Sequence, residues 1–274
     1  TAMAGLRAFP TEGQEVFQSY HSAYDPDRHN FFPSGTVGIP PVNAGYLAHA
    51  YRFAKEQGNE VPEAHFWSIM GDSEFREGSL FEAVPDFAER ELGNLTWIVD
   101  YNRQSLDGHR ITNKNIMGYT DDSRIENTMA ANGWEVIQVR HGKKREELFD
   151  RDGGEDFKKW LEDDLEDYEL QALLLIKDSK KLKQELLEHH KEINAFVKAC
   201  SEEDLTEGLR DFGGHCMENL IAALLDSKKD KNRPTMIIAH TLKGWGLEMA
   251  AQQANHNTLP SKEETDKLRK ATGI

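Results

Sequence analysis

The sequence predicts an α/β fold in which a parallel sheet lies between two helical layers, a three-layer α/β/α arrangement. Two observations predict it. Short apolar, β-rich runs alternate along the chain with stretches of helical spacing, and the residues able to do chemistry cluster just after those runs rather than inside them.

Residues 1–35 are rich in Pro, Gly, His, Tyr and Phe without a steady period and read as an extended N-terminal arm. Val42 to Glu56 is Ala-rich with apolar residues at helical spacing, and Pro40-Pro41 ahead of it suits an entry turn. His65 to Met70 is a strand, Arg76 to Glu91 is compatible with a helix, and Leu95 to Asp100 is a second strand. Glu135 to Val139 and Thr235 to Thr241 are two more, each preceded by a stretch that could be helical. Between them, an acidic, Lys-rich insertion (150–210) carries Leu, Ile and Phe every three or four residues and should be helical. Its run Glu162-Asp163-Asp164-Leu165-Glu166-Asp167 reads as a solvated helix face, with a cation site as the rival reading. The main domain is expected over 36–260, with a tail over 261–274.

Composition narrows the function. Of 274 residues, 38% are hydrophobic and 30% charged, which suits a folded chain with a sizeable core. Lys plus Arg is 33 against 48 Asp plus Glu, a formal charge of −15, so nucleic acid and anionic membranes should be repelled over most of the surface. No run approaches the roughly 18 apolar residues of a spanning helix, and the first residues lack the order of an export signal. Two cysteines, Cys200 and Cys216, make no disulfide framework and fit a reducing compartment, so a cytoplasmic location is expected.

The informative stretches are Gly71-Asp72-Ser73-Glu74 after one strand and Asp100-Tyr101-Asn102-Arg103-Gln104-Ser105-Leu106-Asp107-Gly108 after the next. Right-handed crossovers bring the carboxyl ends of neighbouring parallel strands to one edge, where ligands bind. Asp72 and Asn102 can therefore meet there. A carboxylate, an amide oxygen and the main-chain carbonyl of Gln104 form the oxygen set a small, hard Mg²⁺ prefers, with positions left for phosphate oxygens and water. The helix starting near Arg76 would aim free N–H groups at the phosphates. Strand-end Asp and Asn also serve as plain caps and turn formers. His215 beside Cys216 invites a nucleophile reading, but Gly213-Gly214-His215 is better read as a turn before a helix from Met217 to Leu225. The adjacent pair His189-His190 lacks the spacing of a zinc site.

The GDSE segment followed by DYNRQSLDG resembles the thiamine diphosphate motif. Together with Gly213-Gly214-His215 and Ala239-His240-Thr241-Leu242-Lys243-Gly244-Trp245-Gly246, it is similar to the homodimeric type of pyruvate dehydrogenase decarboxylating component, within the transketolase-like superfamily. The resemblance runs from about Thr36 to His256. It implies a thiamine-diphosphate-binding fold, with thiamine diphosphate and Mg²⁺ as cofactors. Asp72 and Asn102 would be metal ligands, Gln104 would offer its carbonyl, and the amides of Ser73 and Glu74, beside Gly71, would face the diphosphate. Val37, Gly38 and Ile39 fall where the family lays a glycine-bearing loop near the cofactor. Lys243 and His240 fall at a strand end near the site, where a structural turn is the alternative. His256 falls on a segment whose histidine contacts substrate or cofactor phosphate in these families; a surface histidine is the alternative, and the polar segment around it should be weakly anchored. Ser73 replaces the usual third-position Gly, and Asp100 stands where Asn is common.

The resemblance further implies a 2-oxoacid dehydrogenase of the pyruvate type, whose activating glutamate lies on a second, pyrimidine-binding domain. That domain is expected from another chain or from the remainder of a longer one, in a homo- or hetero-oligomer, with a lipoyl-bearing acyltransferase as a further partner. Ketol transfer, as in transketolase, and a non-catalytic subunit that kept the fold are the alternatives.

Overall fold

The computed structural model describes residues 37–105, 108–109, 120–256 and 258–273. The expected arm at 1–35, the boundary at Thr36 and the pair Leu106-Asp107 lie outside them.

Helix α1 (Ile39–Glu56) leads into β1 (Phe66–Gly71), α2 (Gly78–Glu89) and β2 (Leu95–Tyr101). A short hairpin, β3 (Gln104–Ser105) and β4 (Gly108–His109), leaves the end of β2, and α3 (Asp121–Ala131) leads into β5 (Glu135–Val139). Helices α4 (Lys143–Phe149), α5 (Gly154–Lys159), α6 (Asp167–Leu175), α7 (Ser179–His189), α8 (Asn194–Ala199), α9 (Glu202–Arg210) and α10 (Met217–Asp226) precede β6 (Thr235–His240). Helix α11 (Lys262–Thr272) follows. The prolines Pro40 and Pro41 lie inside the first turn of α1 rather than ahead of it, where a missing N–H costs nothing. The helix expected from Arg76 begins at Gly78, after a single 3₁₀ turn over Glu74–Arg76.

Four parallel strands pair in the order β1-β2-β6-β5. Because β1 and β2 are direct neighbours in register, with Gly71 opposite Asp100, both chemistry-bearing strand ends reach the same edge. One face of the sheet packs Met70, Trp97, Val99, Met236 and Ile238 against α1, α2 and α3. Trp97 and Trp134 there spend their indole N–H groups on the carbonyls of Pro41 (3.0 Å) and Val84 (2.9 Å), so neither buried donor goes unmet. On the opposite face α10 sets Ala223 on Val139 and Ile237. Farther along that face Ile69 remains 72% exposed, and Met217, Ile221 and Leu225 form an exposed apolar stripe at four-residue spacing on α10.

The region expected to be helical is helical and has its own core, in which Phe157 stacks on Trp160 and Phe196. The reading of its acidic run as a solvated face holds for the exposed Asp163 and Asp164 and needs correction at the two ends of the run. Glu162 accepts a hydrogen bond from or shares a proton with His141 Nε2 at 2.8 Å, and Asp167 pairs with the buried Arg103 at 2.7 Å. The 261–274 tail is mostly α11, opened by a reciprocal capping box between Ser261 and Glu264 and tied back through Glu264 to the Met249 amide.

Candidate functional site

At the carboxyl edge of the sheet, Asp72 and Asn102 are 1% and 8% exposed. The main-chain N–H of Arg103 donates to Asp72 Oδ2 at 2.8 Å, which fixes the carboxylate against the second strand end. Asn102 donates its amide N–H to Asp100 Oδ2 at 2.9 Å, and its Oδ1 accepts the Gln104 N–H at 2.9 Å. The hydroxyl of Ser73 donates to the Gln104 main-chain carbonyl at 3.1 Å. A network of short bonds thus brings together Asp72, Ser73, Asn102 and Gln104.

Glu74 plays a different part from the one its amide was expected to play. Its carboxylate accepts the N–H of Gly71 and the N–H of Gly38, each at 3.0 Å, and so clamps the loop before α1 onto the first motif. Gly38 has φ +81°, and a Cβ there would come within 2.5 Å of the Glu77 side chain, so the position is built for glycine. Its neighbours Val37 and Ile39 are exposed beside this clamp.

Two residues the sequence reading passed over organise the edge. Arg103 adopts φ +64° and is buried, with Nε on Asp167 Oδ1 at 2.7 Å and an Nη on His240 Nδ1 at 2.8 Å. Tyr101 donates its hydroxyl to Asp167 Oδ2 at 3.0 Å. Burial would lower the Arg103 pKa, but Asp167 and the other carboxylates around it hold the guanidinium above its ordinary range. Burial and the surrounding arginines push His240 well below the usual histidine range, so it is neutral, accepting at Nδ1 and facing Gln138 Oε1 with Nε2 at 3.0 Å. His240 is therefore a packing element of the edge.

Lys243 and His256 meet, with Nζ and Nδ1 3.4 Å apart. The segment holding His256 is better anchored than its polar sequence implies. Met249, Ala250, Ala251 and Asn255 are buried, Asn255 donates to the Lys243 carbonyl at 2.6 Å, and Gln104 donates to the Gln252 carbonyl at 3.4 Å. His256 itself is exposed. His215 accepts the Leu242 amide N–H at Nε2 (2.8 Å) and stacks on Trp245, which bears out the turn reading over the nucleophile.

The donor chemistry fits a hard divalent cation. One carboxylate, one amide oxygen and one main-chain carbonyl reach one edge, and a carbonyl oxygen has two lone pairs, so a single hydrogen bond does not exhaust it. Among the described residues no cluster of three His, Cys, Asp or Glu offers a rival metal site.

Residues 35–150 match the family model described as transketolase, thiamine diphosphate binding domain. Solved transketolases share the architecture. One is a mutant of the Pichia stipitis enzyme in complex with xylulose-5-phosphate, with TM-score 0.53, 15% identity, and 88% of this chain against 25% of that one covered. Another is from Campylobacter jejuni, with TM-score 0.51, 18% identity, and 89% of this chain against 26% of that one covered.

The fold is the transketolase-type thiamine diphosphate binding fold.

By sequence, similar curated proteins are named pyruvate dehydrogenase E1 component. The protein from Cupriavidus necator is 29% identical over 241 residues, covering 87% of this chain and 26% of that protein. That from Corynebacterium glutamicum is 28% identical over 218 residues, covering 79% and 23%. The chain therefore spans about a quarter of the length of the curated relatives it matches. Among the described residues no helix is long and apolar enough to cross a membrane.

Proposed function

We propose that this chain is the diphosphate-binding part of a thiamine-diphosphate- and Mg²⁺-dependent 2-oxoacid dehydrogenase of the pyruvate type, working in the cytoplasm over a domain spanning 36–260. The observation that carries the reading is the network joining Asp72, Asn102 and the Gln104 carbonyl at one strand edge. Those three oxygens would hold the metal, and through it the diphosphate, while the Gly71–Glu74 turn and the Val37–Gly38–Ile39 loop would wall the site. When bound, thiamine diphosphate supplies an electron sink for the electrons left when the carboxylate of a 2-oxoacid departs.

The chain's own residues bind and orient. Arg103, seated by Asp167 and His240, fixes the backbone whose N–H holds Asp72 and so sets the spacing of the ligands. Lys243 and His256 stand as a cationic and a proton-carrying group on adjoining segments, suited to phosphate or substrate oxygens.

The aminopyrimidine-activating group would come from a pyrimidine-domain chain or from the remainder of a longer chain. The exposed Ile69 and the Met217, Ile221, Leu225 stripe support burial against a further domain or subunit, since apolar surface of this kind marks an interface. A lipoyl-bearing acyltransferase would take the acyl group. The likeness to transketolases keeps ketol transfer as the second reading.

Reconstitution with the pyrimidine-domain partner tests the assignment. CO₂ release from pyruvate that requires both parts is the expected result. Turnover of ketose phosphates alone would transfer the assignment to ketol transfer, and pyruvate turnover by this chain without a partner would overturn the division of labour.

A further inference from the structure

At the amino-terminal edge of the sheet, opposite the strand ends just described, a cavity of about 630 Å³ lies among the residues that enter β1 and β2 and the loop that enters β6. Arg52, Lys55, Lys228 and Lys231 line it, with Glu63 as the acidic member. Glu63 pairs with Lys55 at 3.4 Å. Arg52 donates to the main-chain carbonyls of Arg90 and Glu91, and among the described residues no carboxylate pairs with it. Among the described residues neither Lys228 nor Lys231 pairs with a carboxylate, and Lys228 Nζ lies 5.2 Å from the centre of the Trp67 ring. In a chain of formal charge −15 this is a local concentration of positive charge.

The loop carrying both lysines is seated by design of the backbone. A Cβ at Gly93 would fall 2.1 Å from the Lys231 carbonyl carbon, so only glycine lets the loop close on the entry to β2.

We propose that this cavity is a second binding site, for a small phosphate-bearing molecule. Three cations that no carboxylate pairs with among the described residues favour a doubly charged oxyanion over a monocarboxylate. His65 reports on the site. Its Nε2 lies 2.7 Å from Thr96 Oγ1, and burial, followed by the nearby Lys228 and Lys231, lowers its pKa to about 4. A bound anion would offset the two lysines and raise that value.

The test follows the His65 C2–H resonance against pH in the full chain, with millimolar inorganic pyrophosphate or with sodium chloride at equal ionic strength. Pyrophosphate should raise the His65 pKa by about one unit beyond the salt control. In the double variant Lys228→Ala, Lys231→Ala, whose changes are at the surface, the ligand-free pKa should already be higher and pyrophosphate should no longer move it. No shift beyond the salt control, or the same shift in the double variant, would overturn the proposal.

Discussion

The Ser73 hydroxyl donates to the main-chain carbonyl of Gln104 across 3.1 Å, so the residue that stands where the thiamine diphosphate motif carries glycine touches the carbonyl we propose as a metal ligand. That bond takes one of the carbonyl's two lone pairs and draws electron density from the other, the one left for a cation. Ser73→Gly removes the competitor. A hydrogen bond of this kind contributes about 0.5–1.5 kcal/mol net, so Mg²⁺-dependent cofactor binding should tighten by roughly two- to tenfold. Calorimetric titration measures it, and unchanged or weaker binding would detach Gln104 from the site.

Arg103 and Asp167 form a buried pair that joins the helical insertion to the end of β2. Asp167→Ala strands a guanidinium that packs on Tyr101 and Phe212 away from water. Breaking one side of a buried pair costs about 3–5 kcal/mol. Urea unfolding should register a loss of that order, whereas a loss within the range of an exposed pair would show that water reaches Arg103.

The pH dependence of stability follows from His240, His141, His65 and His215, each lowered by burial from the ordinary 6.5. As pH falls below 6.5 the unfolded chain takes up protons that the folded chain refuses, so folding stability drops through the window between 6.5 and the lower folded values. A fully effective histidine contributes a slope of about 1.4 kcal/mol per pH unit. Carboxylates held low, such as Asp230 at about 2, lose their contribution only as pH falls below their ordinary 3.8. Urea midpoints between pH 7 and 5 should therefore fall, and less steeply in His240→Gln; a flat profile in the parent chain would mean that the fold accommodates these histidines in their charged forms.

His256 lies exposed beside Lys243 on a segment anchored by its neighbours rather than by itself. His256→Ala should leave the melting temperature nearly unchanged. With the pyrimidine-domain partner present, it should cut turnover or acyl transfer at least tenfold, about 1.4 kcal/mol in the barrier. Parent rates in the reconstituted variant would leave His256 a surface residue.

Much of this was legible in the sequence because the fold is built on local signals. Period and run length located the strands, and the paired strand ends followed from parallel topology, so Asp72 and Asn102 met where expected. What the sequence hid was long-range. Nothing local tells that Asp167, inside an acidic run, reaches a buried arginine 64 residues away, or that Glu74 turns its carboxylate onto the Gly38 amide 36 residues back. The segment before His256 looked loosely held because alanines at 250 and 251 are weak hydrophobic signals, yet their small size lets them enter the core of the helical insertion.

The central claim is that Asp72 holds a metal-bound diphosphate. Calorimetric titration of thiamine diphosphate into the chain, with and without Mg²⁺, tests it most directly when repeated on Asp72→Asn. The amide oxygen of the variant can still accept the Arg103 N–H, so the turn survives while a charged ligand is lost. Mg²⁺-dependent binding in the parent and its marked weakening in a folded Asp72→Asn variant are the predicted results. Binding that ignores Mg²⁺, or an isotherm unchanged by the substitution, would contradict the account.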